Sequence, residues 1–395
     1  MSSAPFTRAR VPSVGALLLV ASVTLITLLL LSAGPAAPSA SAKRVSFVMR
    51  GAGFGHGIGM SQYGAQGFAK EGRDYKEILK HYYQGTTIGP AATETIRVIL
   101  RQGVGTVKIS GANRATGGRD LEPSATYTVK RSGNSVRLTR GGSTVGTYDN
   151  GLLLTGAEPI KLLGTAIGGL RNGEYRGGME FSESALGGMN VVNAAGLDDY
   201  VQGVVPGEVP TSWDPQALRA QAVAARSYAL ATDAGGSLFD QYPDTRSQVY
   251  RGVSAEVKST NAAVVATAGE VVKYEGKVIP TFFFSTSGGR TENVENVFYG
   301  STPKPYLKSV EDPFDGDSPK HRWTIRYSKG AMQAKLGNLC KGSLKRVKVV
   351  KRGVSPRVVS ADVICSRGTM RTNGATLRAR LGLHDTWVTF KRVTQ

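Results

Sequence analysis

Cysteine and histidine are scarce in this chain: two of the first and four of the second in 395 residues. Two cysteines without a histidine cluster at ligand spacing do not make a zinc site. With no C-x-x-C, a thioredoxin-type redox motif is excluded as well. Acids are outnumbered too, 29 against 49 lysines and arginines, so the whole chain is strongly basic. A regular βαβ alternation is missing, and with it the usual frame of a nucleotide fold. What is abundant is glycine: 50 residues, which point to many turns and short strands rather than a helical bundle.

Residues 1–42 stand apart. Arg8 and Arg10 precede the apolar run "VGALLLVASVTLITLLLLSAG", and small residues follow up to Ala40-Ser41-Ala42. A basic start, an apolar centre and an A-x-A end are the order of a secretory signal, so export is expected. The run is long enough to stay as an uncleaved N-terminal anchor instead. Beyond it, 47 basic residues face 29 acids, and the excess is concentrated. From Lys320 onward there are 18 lysines and arginines against Asp362 and Asp385 alone. Such a face either attracts polyanions or is a solubilising face without a partner, and charge alone does not choose. For an exported chain such polyanions are anionic cell-wall polymers and acidic lipids rather than nucleic acid. In an oxidising compartment Cys340 and Cys365 are expected to form a structural disulfide.

The pattern along the chain reads as α+β, with mixed short-strand sheets and a few packed helices, and not as a Rossmann-type fold. After the strand "RVSFVMR" comes the glycine-rich "GAGFGHGIGMSQYGAQGFAKEG" and a helix opened by Asp74, with Glu77 three residues on. Residues 95–182 are a run of β-rich segments separated by Gly, Asn and Pro. The segment "DPQALRAQAVAARSYALATDAGG" is the best helix, capped by Asp214, with Leu218, Ala222, Ala225 and Ala229 on one face. A second helix around 255–267 and a hairpin turning at Glu275-Gly276 follow. These textures divide the chain into 1–42 (signal or anchor), 43–90 (glycine-rich segment and helix), 91–185 (small β-rich subdomain) and 186–395 (core with the basic end).

Four places carry candidate chemistry. Glu208, in "GVVPGEVPTSW", is one acid between valines and prolines, expected in a stiff, partly buried turn close to the N-terminus of the Asp214 helix. A carboxylate in apolar surroundings has its proton affinity raised, which suits a general acid. The alternative is a solvated or helix-capping side chain. Arg226 stands alone in the uncharged run "AQAVAARSYALAT", so it is either half of a structural ion pair or a clamp for substrate. In "GFGHGIGMSQYG" the dinucleotide frames hold His56, Ile58 and Met60 at the sixth place, where the motif requires glycine. The segment is either a tight strand pair or a loop whose His56, Ser61, Gln62 and Tyr63 line a carbohydrate groove. Ser285 and Ser287 precede Gly288-Gly289 without a nucleophile elbow. Their neighbours favour a turn, with the two hydroxyls as further groove contacts.

Several segments together resemble the SpoIID/LytB family of bacterial cell-wall proteins. They are "NVVNAAGLDDYVQGVVPGEVPTSWDPQALRAQAVAARSYAL", "DTRSQVYRGV", "FFFSTSGGRTENVENVF", "TPKPYLKSV", "LRARLGLHDTWVTF" and "GHGIGMSQYGA". In its SpoIID branch the resemblance implies a lytic transglycosylase acting on peptidoglycan glycan strands, with Glu208 as catalytic acid and Arg226 and Tyr306 as further catalytic residues. In its LytB branch it implies a non-catalytic enhancer of a cell-wall amidase, with that amidase as partner. Neither branch calls for a cofactor here. Some members bind zinc near a histidine of the F-F-H-S segment, but Phe284 occupies that place, so no metal is expected. The "GHGIGMSQYGA" segment, which usually follows the "LGL..TW" tail, here comes first. A circular permutation is therefore expected, with residues 45–65 close to residues 380–392.

Overall fold

The computed structural model describes residues 44–92 and 94–394. The signal-like stretch 1–42 lies outside the described residues. Helices α1 (Gln62–Lys70), α2 (Tyr75–Tyr82), α3 (Leu197–Glu208), α4 (Pro215–Ala231), α5 (Lys258–Ala266), α6 (Lys329–Leu336) and α7 (Gly374–Leu381) alternate with short, mostly antiparallel strands, giving an α+β fold. Among these residues no helix is long and apolar enough to cross a membrane.

Helix α4 organises the molecule because it is apolar nearly all round. Leu218, Ala222, Ala225 and Ala229 are buried in a core shared with two six-stranded sheets built from residues 95–196. The opposite residues Ala217, Ala220, Val223 and Ala224 face a second core with Ile58, Met60 and the apolar sides of α1 and α2. Alanines on both sides let its neighbours pack closely. Asp214 caps it, accepting from the Gln216 N–H at 2.8 Å, and Pro215 fills the first turn. The capping box at Asp74 and Glu77 starts α2, and Glu275 (φ 48°) and Gly276 (φ 78°) turn a hairpin between Glu270–Tyr274 and Lys277–Val278.

The structure corrects two local expectations. Residues 203–208 are not a stiff turn but the last turns of α3. Leu197, Tyr200, Val201, Val204 and Val205 are all buried, and their spacing is that of a helix face. Val209 leaves in extended conformation before Pro210, which ends the helix. Likewise, Gln62 and Tyr63 open helix α1 rather than continuing a loop, and Ser61 is its cap.

A third core gathers the basic C-terminal part. Strands Leu344–Arg352, Val358–Cys365 and Gly368–Asn373 form one antiparallel sheet, and Cys340 is bonded to Cys365 with 5.6 Å between Cα atoms. The strand Val45–Ala52 lies between Arg322–Ser328 and Val388–Thr394, antiparallel to both. The expected approach of the glycine-rich segment to the C-terminal end is therefore present. It continues beyond the strand, where the Gly55 N–H donates to the His384 carbonyl at 3.1 Å.

Candidate active site

The end of α3 opens into a cleft of about 450 Å³. Glu208 lines it as its single carboxylate among the described residues, with His56, Gln62, Tyr228, Ser285 and Phe298 around it. One Glu208 oxygen accepts the Val249 N–H at 2.6 Å. Burial raises the proton affinity of this carboxyl above the usual glutamate range, while the Val249 hydrogen bond opposes the shift. Its place at a helix C-terminus, the negative end of the dipole, acts in the same direction as burial. The stabilising N–H comes from the 242–250 segment, not from the start of α4 as expected.

His56 reaches the cleft because the loop before α1 runs against another backbone. At Gly59 (φ 74°) a Cβ would stand 2.1 Å from the Phe282 carbonyl oxygen, so only glycine fits. The imidazole packs between Phe284 and Phe298, with ring centroids at 5.3 and 5.5 Å. Its Nδ1 accepts the Ile58 N–H at 3.0 Å, which leaves the proton on Nε2. Burial, helped by the charge of Arg378, lowers its pKa to about 3, so the ring is neutral near pH 7. Gln62 donates to the Glu208 carbonyl at 3.3 Å and ties the glycine-rich segment to the end of α3.

The other residues singled out in the sequence are placed differently. Ser285 lines the cleft, its hydroxyl 3.1 Å from that of Thr286. Ser287 is buried and donates to Asp315 at 3.1 Å. Ser61 is also buried, accepting the N–H groups of Gly64 and Ser287. Tyr63 turns its ring to Trp213, centroids 5.0 Å apart. Tyr306 packs on Tyr274 at 5.2 Å and does not line the cleft.

Arg226 is fully buried and does not face Glu208. Its Nε and Nη2 donate to one Asp198 oxygen at 2.8 and 2.6 Å, and Nη1 donates to the Glu270 carbonyl at 3.0 Å. Of its two readings in the sequence, this geometry is that of the structural ion pair. Two positions on, Tyr228 is the α4 residue that lines the cleft. Sequence reasoning also passed over Thr245, Arg246 and Ser247, which form one wall; Arg246 lies over the Tyr242 ring at 3.7 Å and pairs with Asp244. Phe282 and Phe283 complete the aromatic wall. The "FFFS" and "DTRSQVY" segments were visible, but no spacing rule says which of their side chains turn inward.

An arrangement of one carboxyl of raised proton affinity, a neutral imidazole, amide and hydroxyl groups and several aromatic faces suits a polyhydroxylated, ring-shaped ligand and single-residue acid–base chemistry. Comparison with known proteins finds similarity in the segment that carries Glu208. Residues 185–274 match the SpoIID family model, described as Stage II sporulation protein. Stage II sporulation protein D of Bacillus subtilis (strain 168) is 37% identical over 216 residues, covering 50% of this chain and 60% of that protein. Its counterpart in Bacillus amyloliquefaciens is 36% identical over the same length and shares. The Amidase enhancer of Bacillus subtilis (strain 168) is 40% identical over 144 residues, 36% of this chain and 19% of that protein. The chain thus spans about 60% of the length of the sporulation proteins it matches. The matched segment holds α3 with Glu208, α4 with Tyr228, and the cleft wall of Thr245, Arg246 and Ser247, and over it the chain is similar to the SpoIID family, with relatives named both Stage II sporulation protein D and Amidase enhancer.

Proposed function

We propose that this chain is an exported cell-wall protein that cleaves peptidoglycan glycan strands as a lytic transglycosylase. The observation that carries the reading is Glu208: a partly buried carboxyl of raised proton affinity, alone of its kind among the described residues of an aromatic-walled cleft. A glycosidase that activates water uses two carboxyl groups flanking the bond. A lytic transglycosylase needs one. Neutral Glu208 protonates the glycosidic oxygen, and the bond from that oxygen to the muramic acid anomeric carbon breaks. The C6 hydroxyl of the same sugar then attacks the anomeric carbon and gives its proton to the Glu208 carboxylate. The leaving sugar departs with a hydroxyl, a 1,6-anhydro end remains, and no water is consumed. His56, Gln62 and Ser285 are placed to hydrogen-bond sugar groups, while Phe282 and Phe298 offer ring faces.

A second reading is favoured by the relative named Amidase enhancer and by the basic C-terminal sheet. In it the chain binds anionic wall polymers and assists an amidase without cleaving glycan itself. Mass spectrometry of wall glycan incubated with the protein separates the two. Anhydro-muramic ends from the wild type, absent with Glu208→Gln, are the expected result. Tight wall binding without any new ends favours the second reading, and ordinary reducing ends mean hydrolysis.

A further inference from the structure

The cleft at Glu208 shares residues with neighbouring hollows. His56 and Phe298 also line a second hollow of about 470 Å³, together with Val297, Arg378, Leu383 and Thr386. Val297, Ala375 and Thr386 then line a third, of about 560 Å³, which Lys351 and Arg371 flank. Through these shared walls the three hollows lie side by side, from Glu208 toward the basic C-terminal sheet.

Arg378, on α7, is the unusual residue of the middle hollow. It is half-buried, and burial pushes its pKa down from the ordinary arginine range. Yet its guanidinium has no ion pair and no hydrogen bond among the described residues. Asp385, the nearest acid acting on it, is already held by both ends of Arg357, at 2.9 Å each. No carboxylate lines the middle hollow. A half-buried guanidinium without a protein partner keeps its fork of donors free, and that fork matches a carboxylate. The buried Arg226 shows the contrast, since its guanidinium is satisfied from three sides.

We propose that Arg378 binds a carboxylate carried by the ligand that occupies the Glu208 cleft, which makes it a specificity-determining residue one compartment from the reacting bond. The inference rests on the glycan reading of that cleft. A muramic acid strand offers such a carboxylate from two sources: the lactyl group where no peptide is attached, or the attached peptide where one is. A strand of N-acetylglucosamine offers none.

Binding is measured with the full chain carrying Glu208→Gln, so that ligand is not consumed. The probes are peptide-free muramic-acid-containing strands, peptide-bearing strands, and N-acetylglucosamine oligomers of equal length. Adding Arg378→Gln is expected to weaken binding of at least one carboxylate-bearing strand about ten- to hundredfold, as for loss of a charge-assisted hydrogen-bonded pair. Binding of the N-acetylglucosamine oligomer stays unchanged, and Arg378→Lys recovers part of the loss. The strand that responds names the source of the carboxylate. Equal losses for neutral and carboxylate-bearing strands, no loss for any, or no binding of any strand overturns the assignment. Thermal melting of the variants checks that they are folded, and Arg378 has no partner in the fold to lose. A chain that binds in this way but yields no anhydro ends keeps the Arg378 assignment and loses the catalytic reading.

Discussion

The two ends of helix α3 hold acids in opposite situations. At its start Asp198 is paired with Arg226, whose remaining N–H groups go to the backbone carbonyls of Glu270 and Val264. At its end Glu208 accepts one N–H, that of Val249, and faces a cleft. The first is a satisfied ion pair that joins α3 to α4. In the second, burial is only partly compensated, so the carboxyl retains its proton more readily. A buried charge with every nitrogen paired is architecture, whereas one with spare capacity beside open space is available for chemistry.

Four substitutions test that contrast. Glu208→Gln, which keeps the shape and the Val249 hydrogen bond, is expected to lower glycan cleavage by about 10²- to 10⁴-fold with unchanged far-UV circular dichroism. Asp198→Ala is expected to do the reverse. It leaves the Arg226 charge buried and costs about 3 kcal/mol by denaturant titration, the low end for a broken pair because Asp198 is itself 40% exposed. Cleavage per folded molecule should persist. If instead Asp198→Ala removes activity without loss of stability, the pair belongs to the site. Replacing Cys340 and Cys365 by Ser, far from both ends of α3, should cost about 3 kcal/mol for a 25-residue closure and leave binding untouched.

The smallest effect is the most specific to Glu208. Its folded pKa is raised, so its contribution to stability is present below the unfolded pKa, about 4.3, and is lost as pH rises through the folded value. The melting temperature of Glu208→Gln relative to wild type should therefore increase from about pH 4 to pH 7. A difference that stays flat over this range would place the carboxyl in ordinary solvent. His56, held at about 3, should show no titration of its ring protons in NMR spectra over the same range.

Much of this fold is legible in the sequence. The caps at Asp74 and Asp214, the α4 face and the hairpin at Glu275-Gly276 were all visible as local chemistry. Helix α3 was missed although Leu197, Tyr200, Val201, Val204 and Val205 carry the helical spacing, because Pro206 and Pro210 drew attention to turns. Glu208, His56, Gln62 and Ser285 do meet in the cleft, but Arg226, Tyr306, Ser61 and Ser287 do not line it. A lone arginine in an apolar helix announces that a partner exists, not which one. That choice depends on how α3 crosses α4, a long-range packing outcome that no local pattern encodes.

The central claim is that the ligand's own hydroxyl, released through Glu208, replaces water. Digesting wall glycan in heavy-oxygen water and weighing the new ends tests this most directly. The account predicts ends that carry no heavy oxygen and are lighter than hydrolysed ends by one water. Heavy oxygen in every new muramic end would contradict this, and would require a second group that activates water beside Glu208.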